Sequence, residues 1–251
     1  MYIDQTNQEL MLRLTSIIKC TYQNKDPQQA TCFFCKKENG KVILITNKHV
    51  LENALTAQLY LTVLNNQTNI TSNYYIDITL SLAEVKLHSE YDIATLNYSL
   101  VEESLKKQNL QPHITTMAEV GILTNYDSLD IIQDILMIGY PGGLINNPDN
   151  TPITRTGITA TSISSNYLGK NLFLTDVPTF GGSSGSPILI ATAEGKIRLI
   201  GINFKTYLHE VPVYDKKYAE SDRNIIGYTS IPNDIGVAVN SRVIKEMLDL
   251  Y

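Results

Sequence analysis

The chain has 251 residues, 43% of them hydrophobic, which is enough for one large domain or for two small halves sharing an interface. Its net charge is −5, and its Lys-Lys pairs at 36–37, 106–107 and 216–217 are scattered, which argues against nucleic acid or an anionic membrane surface as partner. No apolar run approaches the roughly 18 residues of a spanning helix, and the N-terminus lacks the basic start and apolar stretch of a secretory signal, so a cytoplasmic location is expected.

Short strand-like runs recur along the chain with turn signals between them. In order they are SIIKCTY at 16–22, ATCFFCK at 30–36, KVILITN at 41–47, QLYLTVL at 58–64, YYIDITL at 74–80, EVKLH at 84–88 and DIATLNY at 92–98. A polar, partly helical stretch at 99–110 follows and begins a linker expected near 99–130. A second group lies at 134–140, 152–164, 171–177, 186–192, 197–204 and 225–231. The segments 146–150 and 207–224 read as loops, the second long enough to be functional or mobile. The chain closes in NSRVIKEMLDLY, where Asn240 or Ser241 can cap a short amphipathic helix. Many short strands in two clusters, with few helices, predict an all-β chain of two antiparallel barrels. The N-terminal barrel is expected over 15–110, and the C-terminal barrel with its closing helix over 120–251.

The three cysteines are Cys20, Cys32 and Cys35. A small odd count suits a reducing compartment. Cys32 and Cys35 form a C-x-x-C, but no second pair completes a four-ligand zinc site, and the motif lies in a strand rather than at a helix start. Buried structural cysteines are therefore expected, with no metal and no cofactor.

The run TFGGSSGSPIL at 179–189 sets glycines and serines directly against a strand. By itself such a run reads as a linker or a wide turn. A second reading gives Ser184 a chemical role. A serine hydroxyl needs a base to take its proton and backbone N–H groups aimed at the oxyanion that forms. Gly182 can adopt a backbone conformation denied to other residues, so the amides of Gly182 and Ser184 can face one small pocket. Among the four histidines, His49 follows the apolar strand ILIT and starts a helical turn, at the mouth of an element. His88 and His113 read as surface, and His209 lies in the long loop. Asp92 directly precedes an alternating apolar strand, as a cap, a turn residue or a carboxylate that holds an imidazole.

TNKHV, DIATL and GGSSGSP, in that order, resemble the T-x-x-H, D-I-A-x-L and G-D-S-G-G-P motifs of the trypsin-like (chymotrypsin-fold) serine peptidases. Other pieces are similar to the bacterial, HtrA-like branch: MIGYPGGL followed by TRTGITATS, the strand LIGINF, and DIGVAVNSRVIKEML as closing strand and helix. The resemblance runs from about 15 to 248. It implies one peptidase domain over 1–251, two six-stranded barrels, and a serine endopeptidase acting on a specific protein or peptide. It assigns His49, Asp92 and Ser184 as catalytic triad and the amides of Gly182 and Ser184 as oxyanion hole. It places Pro178 at the base of the specificity pocket, with Ile202, Asn203 and Phe204 along one wall. No acid stands at Pro178, so an uncharged residue at the cleavage site is expected. Ser183 stands where digestive members carry an aspartate that pairs with a new N-terminal amine, so activation by trimming is not expected and other contacts must shape the oxyanion pocket. No PDZ domain is expected. An activating partner protein would suit a protease with no regulatory domain. Two other readings remain: a trypsin-fold protein that binds without cutting, and a G-x-S-x-G elbow with Ser183 as nucleophile, His209 as base and Glu194 as acid.

Overall fold

The computed structural model describes residues 5–81, 83–144, 150–215 and 224–251. The predicted loop positions 146–149 and the pair at 216–217 lie outside the described residues.

A short helix, α1 (Gln5–Met11), leads into the first group of strands: β1 (Thr15–Tyr22), β2 (Gln28–Lys36), β3 (Val42–Thr46), the helical turn α2 (Lys48–Leu51), β4 (Ala54–Asn65), β5 (Thr71–Thr79), β6 (Val85–Leu87) and β7 (Ala94–Asn97). Helix α3 (Ser99–Lys107), strand β8 (Leu110–Pro112) and the turn α4 (Met117–Val120) occupy the stretch read as linker. The second group is β9 (Asp134–Gly139), β10 (Ile153–Thr159), β11 (Leu172–Asp176), β12 (Pro187–Ala191), β13 (Ile197–Tyr214) and β14 (Ile225–Asn240), closed by helix α5 (Ser241–Asp249).

The six strands of the second group form a closed antiparallel barrel in the order β10-β11-β14-β13-β12-β9. The first group forms an eight-stranded sheet, β5-β4-β1-β2-β3-β7-β6, with β8 added beside β4. This sheet curls around its own core, where Ile18, Cys32, Phe34, Leu44, Leu59, Ile76 and Leu96 from six strands meet.

A second cluster joins the two halves. Residues of β2 and β3 alternate between two cores: Phe34 and Leu44 face the first sheet's interior, while Phe33, Cys35, Ile43 and Ile45 pack with Leu136, Ile138, Leu189, Val239, Ile244 and Met247 of the second half. Both faces of these strands are buried, so their sequences run almost continuously apolar instead of alternating. The Asn240 side chain caps α5 by accepting from the Arg242 N–H at 3.2 Å. At the other end of α5, Lys37 Nζ and Lys86 Nζ of the first sheet donate to the carbonyls of Leu248 and Leu250 at 2.9 and 2.5 Å. The helix thus straps one half to the other.

Within the segment 207–224 expected as a loop, residues 207–214 are strand, and 216–223 lie outside the described residues. Strand β13 continues to Tyr214 and pairs with β14 from Leu208↔Pro232 out to Tyr214↔Ile225, forming a two-stranded ribbon that extends from the barrel. Alternation gives no signal there, because Leu208, Val213, Ile225, Ile226 and Tyr228 are all exposed and neither face is buried. Cys20, Cys32 and Cys35 are free and buried, and burial pushes the Cys20 thiol up to about 12 and raises those of Cys32 and Cys35 as well. Thiols held protonated in this way are poor nucleophiles.

Candidate active site

His49 sits in α2, immediately after β3 has carried the chain to the edge of the inter-half core. Asp92 lies just ahead of β7, the strand that pairs with β3. This pairing brings them together. Asp92 Oδ2 is 2.6 Å from His49 Nδ1, and Asp92 Oδ1 accepts the His49 backbone N–H at 2.9 Å. Asn47, fully buried, fixes the other side of the pair by donating from Nδ2 to the Asp92 carbonyl at 2.8 Å. The carboxylate is therefore held at both oxygens and through its backbone, and the imidazole side chain remains 41% exposed.

Ser184 lies in the turn between β11 and β12, at the junction of the halves. Its carbonyl accepts the Thr31 N–H of β2 at 2.8 Å, and the Gly185 N–H donates to the Asn203 carbonyl of β13 at 2.9 Å. Thr31 also donates from Oγ1 to the Gly182 carbonyl at 2.9 Å, while its own carbonyl accepts from Thr46 Oγ1 at 2.8 Å, three residues before His49. Gly185 has φ +82°, and a Cβ there would overlap the Thr31 carbonyl. Only glycine allows the turn to press this closely against β2, the neighbour of the strand that leads to His49. Ser184 is half-buried, and its Oγ makes no hydrogen bond among the described residues. Catalytic hydrogen bonds often close only when substrate is bound.

The Ser183 N–H donates to the Phe180 carbonyl at 3.0 Å, and Gly182 has φ +86°. A glycine at the third position of such a turn is the mark of type II geometry. The Gly181 carbonyl accepts from the Gly142 N–H at 2.5 Å, so the N–H of the same peptide, that of Gly182, points to the opposite side. Neither the Gly182 nor the Ser184 N–H has a partner among the described residues.

Ser183 is placed very differently. It is 1% exposed, and its Oγ accepts from Arg155 Nη2 at 2.8 Å and from the Phe180 N–H at 3.2 Å. His209 pairs with Ile231 on the outer ribbon, and Glu194 is hydrogen-bonded to Thr192 in the β12–β13 turn. The parts of the elbow reading are not assembled. His113 Nε2 accepts from Arg13 Nη1 at 2.9 Å, and burial, aided by the Arg13 charge, lowers its pKa. His88 Nδ1 accepts the Glu90 and Tyr91 N–H groups at 3.0 Å, and its Nε2 lies 3.8 Å from Glu246 Oε2.

Two of the expected pocket residues are placed otherwise than the resemblance implied. Ile202 is fully buried and packs in the core between the halves, so its side chain lines no open wall. Pro178 is exposed, and its carbonyl accepts from Arg155 Nη1. Asn203 turns toward the turn and donates from Nδ2 to the Ser183 carbonyl at 3.3 Å. Phe204 is half-buried against the core between the halves. Beside these, a Cβ on Gly236 would lie 2.5 Å from Thr175 Oγ1 and 3.0 Å from Asn203 Oδ1. Both oxygens are buried without a hydrogen-bond partner. Gly236 is thus closely packed by two neutral polar side chains. Thr31, Thr46 and Arg155 were not singled out in the sequence. Arg155 carried one signal: it is the only basic residue between 141 and 169, in a chain whose Ser183 cannot form an ion pair.

Comparison with known proteins follows the same lines. Residues 30–202 match the family described as trypsin-like peptidase domain. The "Serine protease Do-like HtrA" of Bacillus subtilis (strain 168) is 28% identical over 214 residues, which cover 80% of this chain and 36% of that protein. The fold is that of solved bacterial proteases. The serine endoprotease from Yersinia pestis superposes with a TM-score of 0.55 at 15% identity, over 100% of this chain and 67% of the other. The Rv3671c protease from M. tuberculosis in its active form superposes with a TM-score of 0.52 at 12% identity, over 98% and 83%. No helix among the described residues is long and apolar enough to cross a membrane. The family match covers well over half of the chain, and the architecture agrees with it: this chain belongs to the trypsin-like peptidase family.

Proposed function

We propose that this chain is a serine endopeptidase in which Ser184 is the nucleophile, His49 the general base and Asp92 its orienting acid. The observation that carries the reading is the two-oxygen grip of Asp92 on His49, at Nδ1 and at the backbone N–H. That grip sets the tautomer: Nδ1 carries a proton, leaving Nε2 free to accept one. In the acylation step Ser184 Oγ bonds to the substrate carbonyl carbon and its proton passes to His49 Nε2. The carbonyl oxygen becomes an oxyanion facing the unpartnered N–H groups of Gly182 and Ser184. The C–N bond then breaks as His49 returns the proton to the leaving amine. Water repeats the sequence on the acyl-enzyme, and Asp92 stays ionised throughout.

The close packing of Thr175 and Asn203 around Gly236 favours a small uncharged side chain at the cleavage site, because neither offers a charge to pair with Lys, Arg, Asp or Glu. Cleavage of a mixed peptide library, with products sequenced by mass spectrometry, tests both parts. Cleavage after small uncharged residues, absent in Ser184→Ala, is expected. A folded chain with no Ser184-dependent cleavage would make it a binding protein of the same fold, and cleavage after basic residues would overturn the pocket assignment.

A further inference from the structure

The turn that carries Ser184 rests on a half-buried cation. Arg155 lies on β10, between the exposed Thr154 and Thr156, and its guanidinium reaches under the turn. Nη1 donates to the Pro178 carbonyl and Nη2 to Ser183 Oγ at 2.8 Å. The two acceptors stand at either end of the segment 178–183, and between them lies the 181–182 peptide whose orientation decides whether an N–H or a carbonyl faces the pocket.

That peptide is the weak point of the arrangement. In a type II turn the central peptide can flip to type I by local rotation, leaving the flanking residues in place. After such a flip the Gly181 carbonyl would point where the Gly182 N–H now points, and an acceptor would face the developing oxyanion. Glycine at 182 makes both states accessible. The Gly142 N–H opposes the flip by holding the Gly181 carbonyl, and the guanidinium fixes both ends of the segment. The planar fork of arginine can bind two acceptors at a fixed separation, which a lysine ammonium does with less precision. Asp234, close enough to act on the Arg155 charge, favours its protonated form against burial.

We propose that Arg155 is a positioning residue, an internal cation that clamps Pro178 to Ser183 and so holds the Gly182 amide toward the reacting carbonyl. This rests on the peptidase reading above. It explains how the turn is shaped in a chain with serine, not aspartate, before the nucleophile: the cation comes from within the barrel, and no chain terminus has to be released.

The test uses the full chain and a fluorophosphonate probe under saturating kinetics, which separates binding of the probe from the rate of bond formation. In that step Ser184 Oγ bonds to phosphorus, fluoride leaves and His49 takes the proton. Loss of one oxyanion donor costs about 10²–10³ in rate, and a clamp that shifts the turn to roughly one-tenth competent costs about tenfold. Arg155→Met should therefore lower the bond-forming rate about 10- to 100-fold, with the probe's binding constant within about threefold of wild type. The low-field proton resonance of His49 Nδ1 should persist, showing that the base is intact. Arg155→Lys should recover part of the rate. An Arg155→Met chain that reacts as fast as wild type overturns the inference and leaves the peptidase reading standing. So does a loss of rate that comes with loss of the His49 resonance, since that is general disruption. Should Arg155→Met not fold, Ser183→Ala removes one of the two acceptors and carries the same test, with a several-fold loss at unchanged probe binding expected and no loss overturning the clamp. A folded wild-type chain that takes no label at Ser184 overturns the peptidase reading and this inference together.

Discussion

Replacing Asp92 by asparagine isolates what the carboxylate does. Asp92 Oδ1 accepts the His49 backbone N–H at 2.9 Å, and Oδ2 faces His49 Nδ1 at 2.6 Å. An asparagine fits the same space. Its carbonyl oxygen can keep the backbone bond, but its NH₂ then faces Nδ1 and demands an acceptor. The imidazole must turn to the other tautomer, with its proton on Nε2, the atom that should receive the proton of Ser184. The expected loss in kcat/KM is about 10⁴, or roughly 5.5 kcal/mol. Retention of the backbone bond and of Asn47 on the Asp92 carbonyl should limit destabilisation to about 1 kcal/mol, a shift of only about 2–4 °C in Tm. The assay is turnover of a peptide identified from the library screen, with thermal unfolding followed in parallel. A rate within tenfold of wild type at equal stability would refute the tautomer argument and show that another group orients His49. A Tm lower by 10 °C or more would show that the pair is chiefly structural.

Other predictions are simpler. Ser184→Ala should reduce turnover by about 10⁶ if the three residues act as a unit, whereas Ser183→Ala should cost only several-fold; the reverse order in a side-by-side rate measurement would revive the elbow reading. Gly185→Ala should cost about 3 kcal/mol, from left-handed strain and overlap with the Thr31 carbonyl, and lower Tm by roughly 6–12 °C in calorimetry; a neutral effect would mean that the turn is not pressed against β2. The three buried thiols should resist a disulfide reagent such as DTNB in the native state and all react in denaturant. Rapid modification of the folded chain would contradict their burial. His113 is held neutral by burial and Arg13, so its folded pKa lies below its unfolded value. Its contribution is present above the unfolded value near 6.5 and is lost as pH falls toward the folded one. His113→Gln should flatten the acid side of the stability curve just below pH 6.5, measured by urea unfolding, and an unchanged slope would contradict this.

The parts of the fold that the sequence reveals are those where one physical cause dominates. Strands β2, β3, β9 and β12 are legible because two cores demand apolar residues on both faces. The start of α5 is legible because Asn240 is a strong cap and α5's apolar face is regular. The β13–β14 ribbon is not, because its backbone pairing is indifferent to which side chains it carries and exposed apolar residues sit on both faces beside Pro212 and Asp215. In the site, His49 and Asp92 stand out by their place beside strands, and Ser184 by its glycines. The clamp by Arg155 is hidden, because two strands of a barrel and a turn remote in sequence must close before its guanidinium meets Ser183. The placement of the pocket residues is hidden for a related reason: position along β13 alone does not say that Ile202 faces the core and Asn203 the turn, since the register shifts at that strand's bulge.

The central claim is that Ser184 is a nucleophile activated by His49. Labelling of the purified chain with a fluorophosphonate, followed by peptide mapping, tests it most directly. The account predicts a single modified serine, Ser184, and loss of the label in His49→Ala although the fold is retained. Modification of Ser183, or a label on Ser184 that survives His49→Ala at an unchanged rate, would contradict it.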